Sequence, residues 1–379
     1  MALRKLPSQH KAPRRQGLDS RKHPPLHLDN DRAQMRKILQ HAWQTRGLLA
    51  CFLWPISRIY GVLVRTRRHL YKTGFFKSEK LPIPVLVVGN VVAGGAGKTP
   101  LVIALVQHYH QRGLKVGVLS RGYGRERSAC QEVFANTPVS ESGDEPALLK
   151  RATGAAVFVG SSRIEAAHAL LQAHPAVQLL ICDDGLQHYA LRRDVEIVVF
   201  DDGGVGNGWL LPAGPLREAW PDRMHGGIDL VLHTGQKPAF KGFAASRRLS
   251  DHAIAADGNA FSLHSLRGQK VIALAAIANP GAFFDMLMAC GLTLNQTISL
   301  PDHYDFSDYH PAFDPQTTLL CTEKDSVKLF GLPSMAGIRV LAVRLLFSPE
   351  PDFLAAVDAL LSPLIGAPTF SPVPSRHGH

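Results

Sequence analysis

One segment constrains the fold more than any other. A wholly apolar run, Val85-Leu86-Val87-Val88, leads into Gly89-Asn90-Val91-Val92-Ala93-Gly94-Gly95-Ala96-Gly97-Lys98-Thr99-Pro100, and a helical pattern then continues to about Arg112. A short run apolar on both faces is what a buried parallel strand requires. A strand entering a glycine loop that opens a helix is the setting of a phosphate-binding loop. Glycines let backbone N–H groups close around phosphate oxygens, and the helix N-terminus adds a favourable dipole. In such a loop Lys98 reaches the β- and γ-phosphates and the Thr99 hydroxyl ligates Mg²⁺. Gly94, Gly95, Ala96, Gly97 and Pro100 complete the candidate nucleotide-binding stretch. The strict pattern wants glycine five positions before Gly97, where this chain has Val92.

Further apolar runs follow at Val116–Leu119, Val157–Val159, Leu179–Cys182, Ile197–Phe200 and Leu230–Leu232, with a helical stretch at Arg163–Ala173. Strands alternating with helices predict a mostly parallel α/β sheet covered on both faces, P-loop NTPase-like. Beyond about Gly235, Val271–Ala276, Thr318–Cys321 and Val340–Val343 read as strands and Phe353–Leu361 as a last helix, giving a smaller C-terminal α/β subdomain. The expected division is a basic disordered tail at 1–33, an amphipathic segment at 34–83, a core at 84–235, the subdomain at 236–361 and a loose tail at 362–379.

Charge is distributed unevenly. The formal net charge is +11, yet residues 1–72 hold 16 Lys/Arg against 3 Asp/Glu, and the remainder holds 26 against 28. A basic end on a near-neutral body points to an anionic surface met by that end, not to a nucleic-acid partner for the core. Pro55 suits the first turn of a helix, and Ile56, Ile59, Tyr60, Leu63 and Val64 follow at helical spacing among Arg58, Arg65, Arg67, Arg68 and Lys72. Such a helix suits a membrane interface. The uncharged run Leu48–Ser57 is too short to span a bilayer on its own. Five cysteines without a C-x-x-C pair fit a reducing compartment and carry no zinc signature.

A phosphate loop needs a carboxylate at the end of another strand. Cys182-Asp183-Asp184 and Phe200-Asp201-Asp202 both qualify, and spacing does not choose between them. Ser120-Arg121-Gly122-Tyr123-Gly124-Arg125 places two arginines in a flexible loop suited to an anionic substrate. Ser142-Gly143-Asp144-Glu145-Pro146 offers loop carboxylates able to orient or deprotonate a hydroxyl, and equally a helix cap. His303 in Pro301-Asp302-His303-Tyr304-Asp305, read alone, is an ordinary structural histidine.

Taken in order, Pro84–Pro100, Leu119–Arg125 (LSRGYGR), Gly143–Pro146 (GDEP), Cys182–His188 (CDDGLQH), Leu210–Glu218 (LLPAGPLRE), Asp302–Phe306 (DHYDF) and Thr322–Lys328 (TEKDSVK) resemble the tetraacyldisaccharide 4'-kinase family. The resemblance covers roughly Trp43 to Leu361, and the family loop likewise lacks the early glycine. It implies transfer of the γ-phosphate of ATP to the 4'-hydroxyl of a tetraacyl glucosamine disaccharide 1-phosphate, forming lipid IVA. It further implies work at the cytoplasmic face of the inner membrane as a peripheral protein, with ATP and Mg²⁺ as cofactors. No nucleic acid and no obligate protein partner are expected. By motif, Lys98 and Thr99 hold phosphate and metal, Asp183 and Asp184 take the metal-associated role, and Asp144 is the proposed base with His303 as its partner. Arg121, Tyr123 and Arg163 are implied weakly as substrate contacts, and Leu210–Glu218 receives no chemistry. The alternative from the glycine loop alone is a GTPase or metallochaperone-like switch, for which Thr322-Glu323-Lys324-Asp325 is only a loose base-recognition motif.

Overall fold

The computed structural model describes residues 39, 41–94, 97–123, 125, 129–221, 228–306, 309–310, 314 and 317–365. The basic segment expected at 1–33, the tail beyond 365, and Gly95 and Ala96 of the glycine loop lie outside the described residues. Residues 1–41 separate as a unit of their own, of which only Leu39 and His41 are described, both helical.

From Ala42 onward the chain builds one long sheet in two halves. The first half contains β1 (Val85–Gly89), β2 (Val116–Ser120), β3 (Gln131–Val133), β4 (Ala156–Val159), β5 (Leu179–Asp183), β6 (Val195–Phe200) and β7 (Ile228–His233). Their order is β7-β6-β1-β5-β2-β4-β3, parallel except for β3 against β4. Strand side chains alternate between faces, and here both faces are buried. Leu86 and Val88 of β1 join one core with α2 (Lys98–Gln111), while Val85 and Val87 join the opposite core with α5 (Arg163–Ala173). That double burial is why these strands read as unbroken apolar runs.

The second half comprises β8 (Phe243–Ile254), β9 (Ala260–Ser262), β10 (Val271–Ala275), β11 (Leu294–Ser299), β12 (Thr318–Thr322) and β13 (Arg339–Pro349). β11, β10, β12 and β13 run parallel, and β13 turns antiparallel onto β8. The two halves join where β7 meets β8 through two residue pairs, Leu232↔Phe243 and His233↔Ala244. β3, β8, β9 and β11 are absent from the sequence expectation because they are short or interrupted by polar residues instead of forming unbroken apolar runs. α6 (Pro280–Ala289) and α7 (Glu323–Leu329) cover this half, Phe283 and Leu287 from the former and Leu329 from the latter reaching different cores.

The final helix corrects its expected placement. α8 (Pro351–Ile365) runs past residue 361 and packs on the first half: Phe353, Val357 and Leu361 lie at helical spacing in the core shared with α2. His108 of α2 pins it through Nε2 at 2.9 Å from Asp358.

Ahead of the sheet lies α1 (Leu48–Lys72), a 25-residue helix. Pro55 therefore sits in its interior, not in the first turn. The helix extends toward its N-terminus because Leu48–Trp54 holds no breaker and Ala50 is fully buried against the body. By length and composition α1 is apolar enough to cross a membrane. One stripe of it is committed to protein: Ala50, Ser57 and Gly61 are its buried residues. Ser57 Oγ donates to the Leu210 carbonyl at 2.8 Å, and the Tyr60 hydroxyl donates to the Arg217 carbonyl at 3.0 Å. The other face exposes Phe52 (78%), Ile56, Ile59 (64%) and Leu63, flanked by Phe75 and Phe76 beyond its end.

The helices between β3 and β4 complete the frame: α3 (Val139–Ser142) and α4 (Asp144–Thr153), meeting at Gly143.

Candidate active site

β1 delivers the chain to the glycine loop and α2 receives it. Gly97 caps α2 at φ 85°, a left-handed value that favours glycine. A Cβ there would collide with the guanidinium of Arg247 on β8. Val92, the position where the strict pattern has glycine, forms an antiparallel bridge with Leu216. Ala93 N–H donates to the Pro215 carbonyl at 2.8 Å and Arg217 N–H donates to the Val91 carbonyl at 2.7 Å. The first half of the loop is thus zipped to the 210–218 segment, and an extended β-branched residue fits it. Lys98 Nζ lies 3.4 Å from Asn90 Oδ1 and 3.6 Å from Asp184 Oδ1. Pro100 lies in the first turn of α2, where its missing N–H is harmless.

The two acidic pairs separate. β5 is the neighbour of β1, and the Thr99 hydroxyl lies 3.2 Å from Asp183 Oδ2. Asp183 is buried, its Oδ1 without a hydrogen-bond partner among the described residues. Burial and the nearby Glu145 carboxylate push its pKa up to about 7. For Asp184 burial opposes ionisation, but Lys98 and Arg217 outweigh it and hold the carboxyl below its usual value. Arg217 Nη1 is 3.2 Å from each Asp184 oxygen. At the end of β6, Asp201 Oδ1 instead accepts the Gly203 N–H at 3.0 Å and Asp202 Oδ1 accepts the Lys237 N–H at 2.6 Å.

Asp144 and His303 come from opposite halves of the sheet and meet, with Asp144 Oδ2 and His303 Nδ1 3.2 Å apart. Asp144 is nearly fully buried at the start of α4. Burial alone would raise its pKa, but hydrogen bonds from His303 and Lys328 overcome that and keep the carboxyl below the ordinary range. His303 stands at φ 63°, a left-handed conformation rare for a side-chain-bearing residue. The Tyr123 ring lies 5.2 Å from the imidazole, centroid to centroid, so the 119–125 loop reaches the same place. Gly122 and Gly143 make this approach possible, since a Cβ on either would strike the other loop's backbone.

Arg121 is exposed at the edge of this region. Arg163 is buried and spends its guanidinium on the Gly160 and Asp183 carbonyls, at 2.9 and 3.4 Å, so it braces the end of β5 instead of facing solvent. Burial, with Arg163 and then Arg121 adding to it, pushes His188 down to about 4. The sequence assigns nothing to Arg217, Asn90 or Lys328, and places Lys324 only in the loose base-recognition stretch, although each falls inside a quoted motif; membership of a motif was the available signal. Thr322–Asp325 is not a base-recognition element: Thr322 Oγ1 accepts the Asp325 N–H at 3.1 Å and Asp325 accepts the Ala276 N–H, a capping arrangement that starts α7.

A phosphate loop needs no carboxylate–imidazole pair to hold a nucleotide. The glycine loop between β1 and α2 on a mostly parallel sheet places the chain among the P-loop nucleotide-binding proteins. The family model described as tetraacyldisaccharide-1-P 4'-kinase matches residues 49–362. A tetraacyldisaccharide 4'-kinase of Polaromonas naphthalenivorans is 59% identical over 345 residues, 91% of this chain and 99% of that relative. One from an Acidovorax species is 53% identical, over 86% of this chain and 95% of the other. The crystal structure of LpxK from Aquifex aeolicus in complex with ATP superposes at a TM-score of 0.70 with 29% identity, covering 84% of this chain and all of that one. The chain belongs to the tetraacyldisaccharide 4'-kinase family, which sets aside the GTPase or metallochaperone alternative.

Proposed function

We propose that this kinase moves the γ-phosphate of ATP onto the 4'-hydroxyl of a tetraacyl disaccharide 1-phosphate, with Mg²⁺, at the cytoplasmic face of the inner membrane. The observation that carries the reading is the meeting of Asp144 and His303 from the two halves of the sheet. With Asp144 accepting from Nδ1–H, His303 Nε2 keeps a lone pair for the hydroxyl proton. The acceptor oxygen then bonds to the γ-phosphorus as the bond to the β–γ bridging oxygen breaks, leaving ADP. Lys98 and the loop N–H groups neutralise charge on the phosphates.

The metal reading rests on an all-oxygen donor set. The Thr99 hydroxyl, the buried Asp183 carboxylate with its unpartnered Oδ1, and Asp184 beside Lys98 are hard donors suited to Mg²⁺. When bound, Mg²⁺ would withdraw charge from the transferred phosphoryl oxygens.

The membrane reading rests on α1. A helix docked along one stripe and apolar along the other lies in an interface more readily than across a bilayer. Each large apolar side chain fully withdrawn from water contributes roughly 1.5–3 kcal/mol, and Phe52, Ile56, Ile59 and Leu63 are exposed together. An acylated acceptor then reaches the site without leaving the bilayer. Replacing Phe52 and Ile59 together by Asp is expected to abolish co-sedimentation with anionic phospholipid vesicles; unchanged binding would remove α1 from the interface. The kinase reading is tested by radiolabelled ATP and the disaccharide 1-phosphate in mixed micelles, where Lys98→Ala is expected to yield no product.

A further inference from the structure

α7 carries two lysines that the transfer chemistry above does not use. Lys324 and Lys328 are four residues apart and share one face of the helix. Lys328 Nζ is 2.9 Å from Asp144 Oδ2 and donates to the Tyr304 carbonyl at 2.9 Å. Lys324 Nζ is 2.9 Å from Asp302 Oδ1. His303 sits between these two anchored carboxylates, its Nδ1 3.2 Å from Asp144 and its Nε2 3.8 Å from Asp302. The Lys328 and Asp144 side chains are 18% and 9% exposed, so solvent screens the pair far less than a surface bridge.

The geometry points to Lys328 as a positioning residue for phosphoryl transfer, its one ammonium clasping the Asp144 carboxylate of the first half and the backbone next to His303 in the second. This rests on the reading of Asp144 and His303 as the transfer pair. Asp144 Oδ2 is shared by His303 Nδ1 and Lys328 Nζ, so the lysine fixes where the imidazole must stand. Its bond to Tyr304 also holds a turn in which His303 keeps a left-handed backbone that needs outside support. Without it the carboxylate is tied to the second half through His303 alone and can swing with the imidazole, so Nε2 loses its aim at the acceptor hydroxyl. Lys328 touches neither substrate nor phosphate in this account; it acts through Asp144.

The test is a double-mutant cycle on the full chain, with radiolabelled ATP so that slow variants stay measurable. Lys328→Met is expected to lower kcat about 10- to 100-fold, the cost of a mis-set reacting group, with KM for ATP changed less than about twofold because the phosphate loop is untouched. In an Asp144→Asn background the same substitution is expected to cost less than about twofold, since the group it positions is already disabled. Equal cost in both backgrounds, a raised KM for ATP at unchanged kcat, or a wild-type rate would overturn the inference. A near-wild-type rate for Asp144→Asn alone would instead sink the transfer pair. Melting temperatures by circular dichroism check folding, and Lys328→Gln replaces Lys328→Met should the latter melt below the assay temperature.

Discussion

The strands flanking β1 end alike in sequence and differ in use. β5 ends in Asp183-Asp184 and β6 in Asp201-Asp202, each pair following an apolar strand. Asp183 meets Thr99 and Asp184 meets Lys98 and Arg217, so the β5 pair faces the glycine loop. The β6 pair turns back on its own neighbourhood and accepts backbone N–H groups of Gly203 and Lys237. Strand position does not separate them, because both strands are adjacent to β1. The difference lies in what the following residues do. The 184–188 turn stays over the loop under Arg217, while the 201–206 turn folds into local hydrogen bonds.

The largest expected contrast comes from neutralising each pair. Asp183→Asn or Asp184→Asn should lower kcat by roughly 10²–10³, as for loss of a central charge-stabilising group. Asp201→Asn and Asp202→Asn should stay within about fivefold of wild type, since among the described residues their hydrogen bonds go to the Gly203 and Lys237 N–H groups; steady-state kinetics decides, and equal losses at both strand ends would erase the distinction. Thr99→Ala comes next, at about 10²-fold in kcat. Rescue of that variant by Thr99→Ser but not by Thr99→Val would confirm that the hydroxyl is what matters. Arg217→Ala should cost about five- to tenfold, because its pair with Asp184 is about a third exposed and correspondingly screened. A loss as large as that of Asp184→Asn would make Arg217 a direct phosphate contact instead. The smallest effect is on stability: Asp202→Ala should cost about 1 kcal/mol through the lost bond to Lys237 N–H, with activity unchanged, read from denaturant melts.

These contrasts mark where sequence was legible. The first half of the sheet could be read because burial on both faces makes its strands continuous apolar runs. β8 escaped because Ser246, Arg247, Arg248, Ser250, Asp251 and His252 break up its apolar residues along a partly exposed ribbon. α8 looked like part of the second half because chain order says nothing of where a helix returns, and only Phe353, Val357 and Leu361 in the α2 core settle it. Within the site, the glycine loop, Lys98 and Thr99 were readable from local pattern. The partnership of Asp144 with His303 was not, since 159 residues separate them; the resemblance supplied the pair. Arg217 and Lys328 stayed hidden because one salt bridge from a loop and one from a helix face leave no periodic trace.

The β5 carboxylates, not those of β6, are expected to serve transfer from ATP to the acylated disaccharide 1-phosphate. The direct measurement is product formed from radiolabelled ATP in mixed micelles by wild type, Asp183→Asn and Asp201→Asn, each confirmed folded by its melting curve. Wild type and Asp201→Asn are expected to form 4'-phosphorylated product and Asp183→Asn almost none. Product from Asp183→Asn at the wild-type rate, or none from the folded wild-type protein, would contradict it.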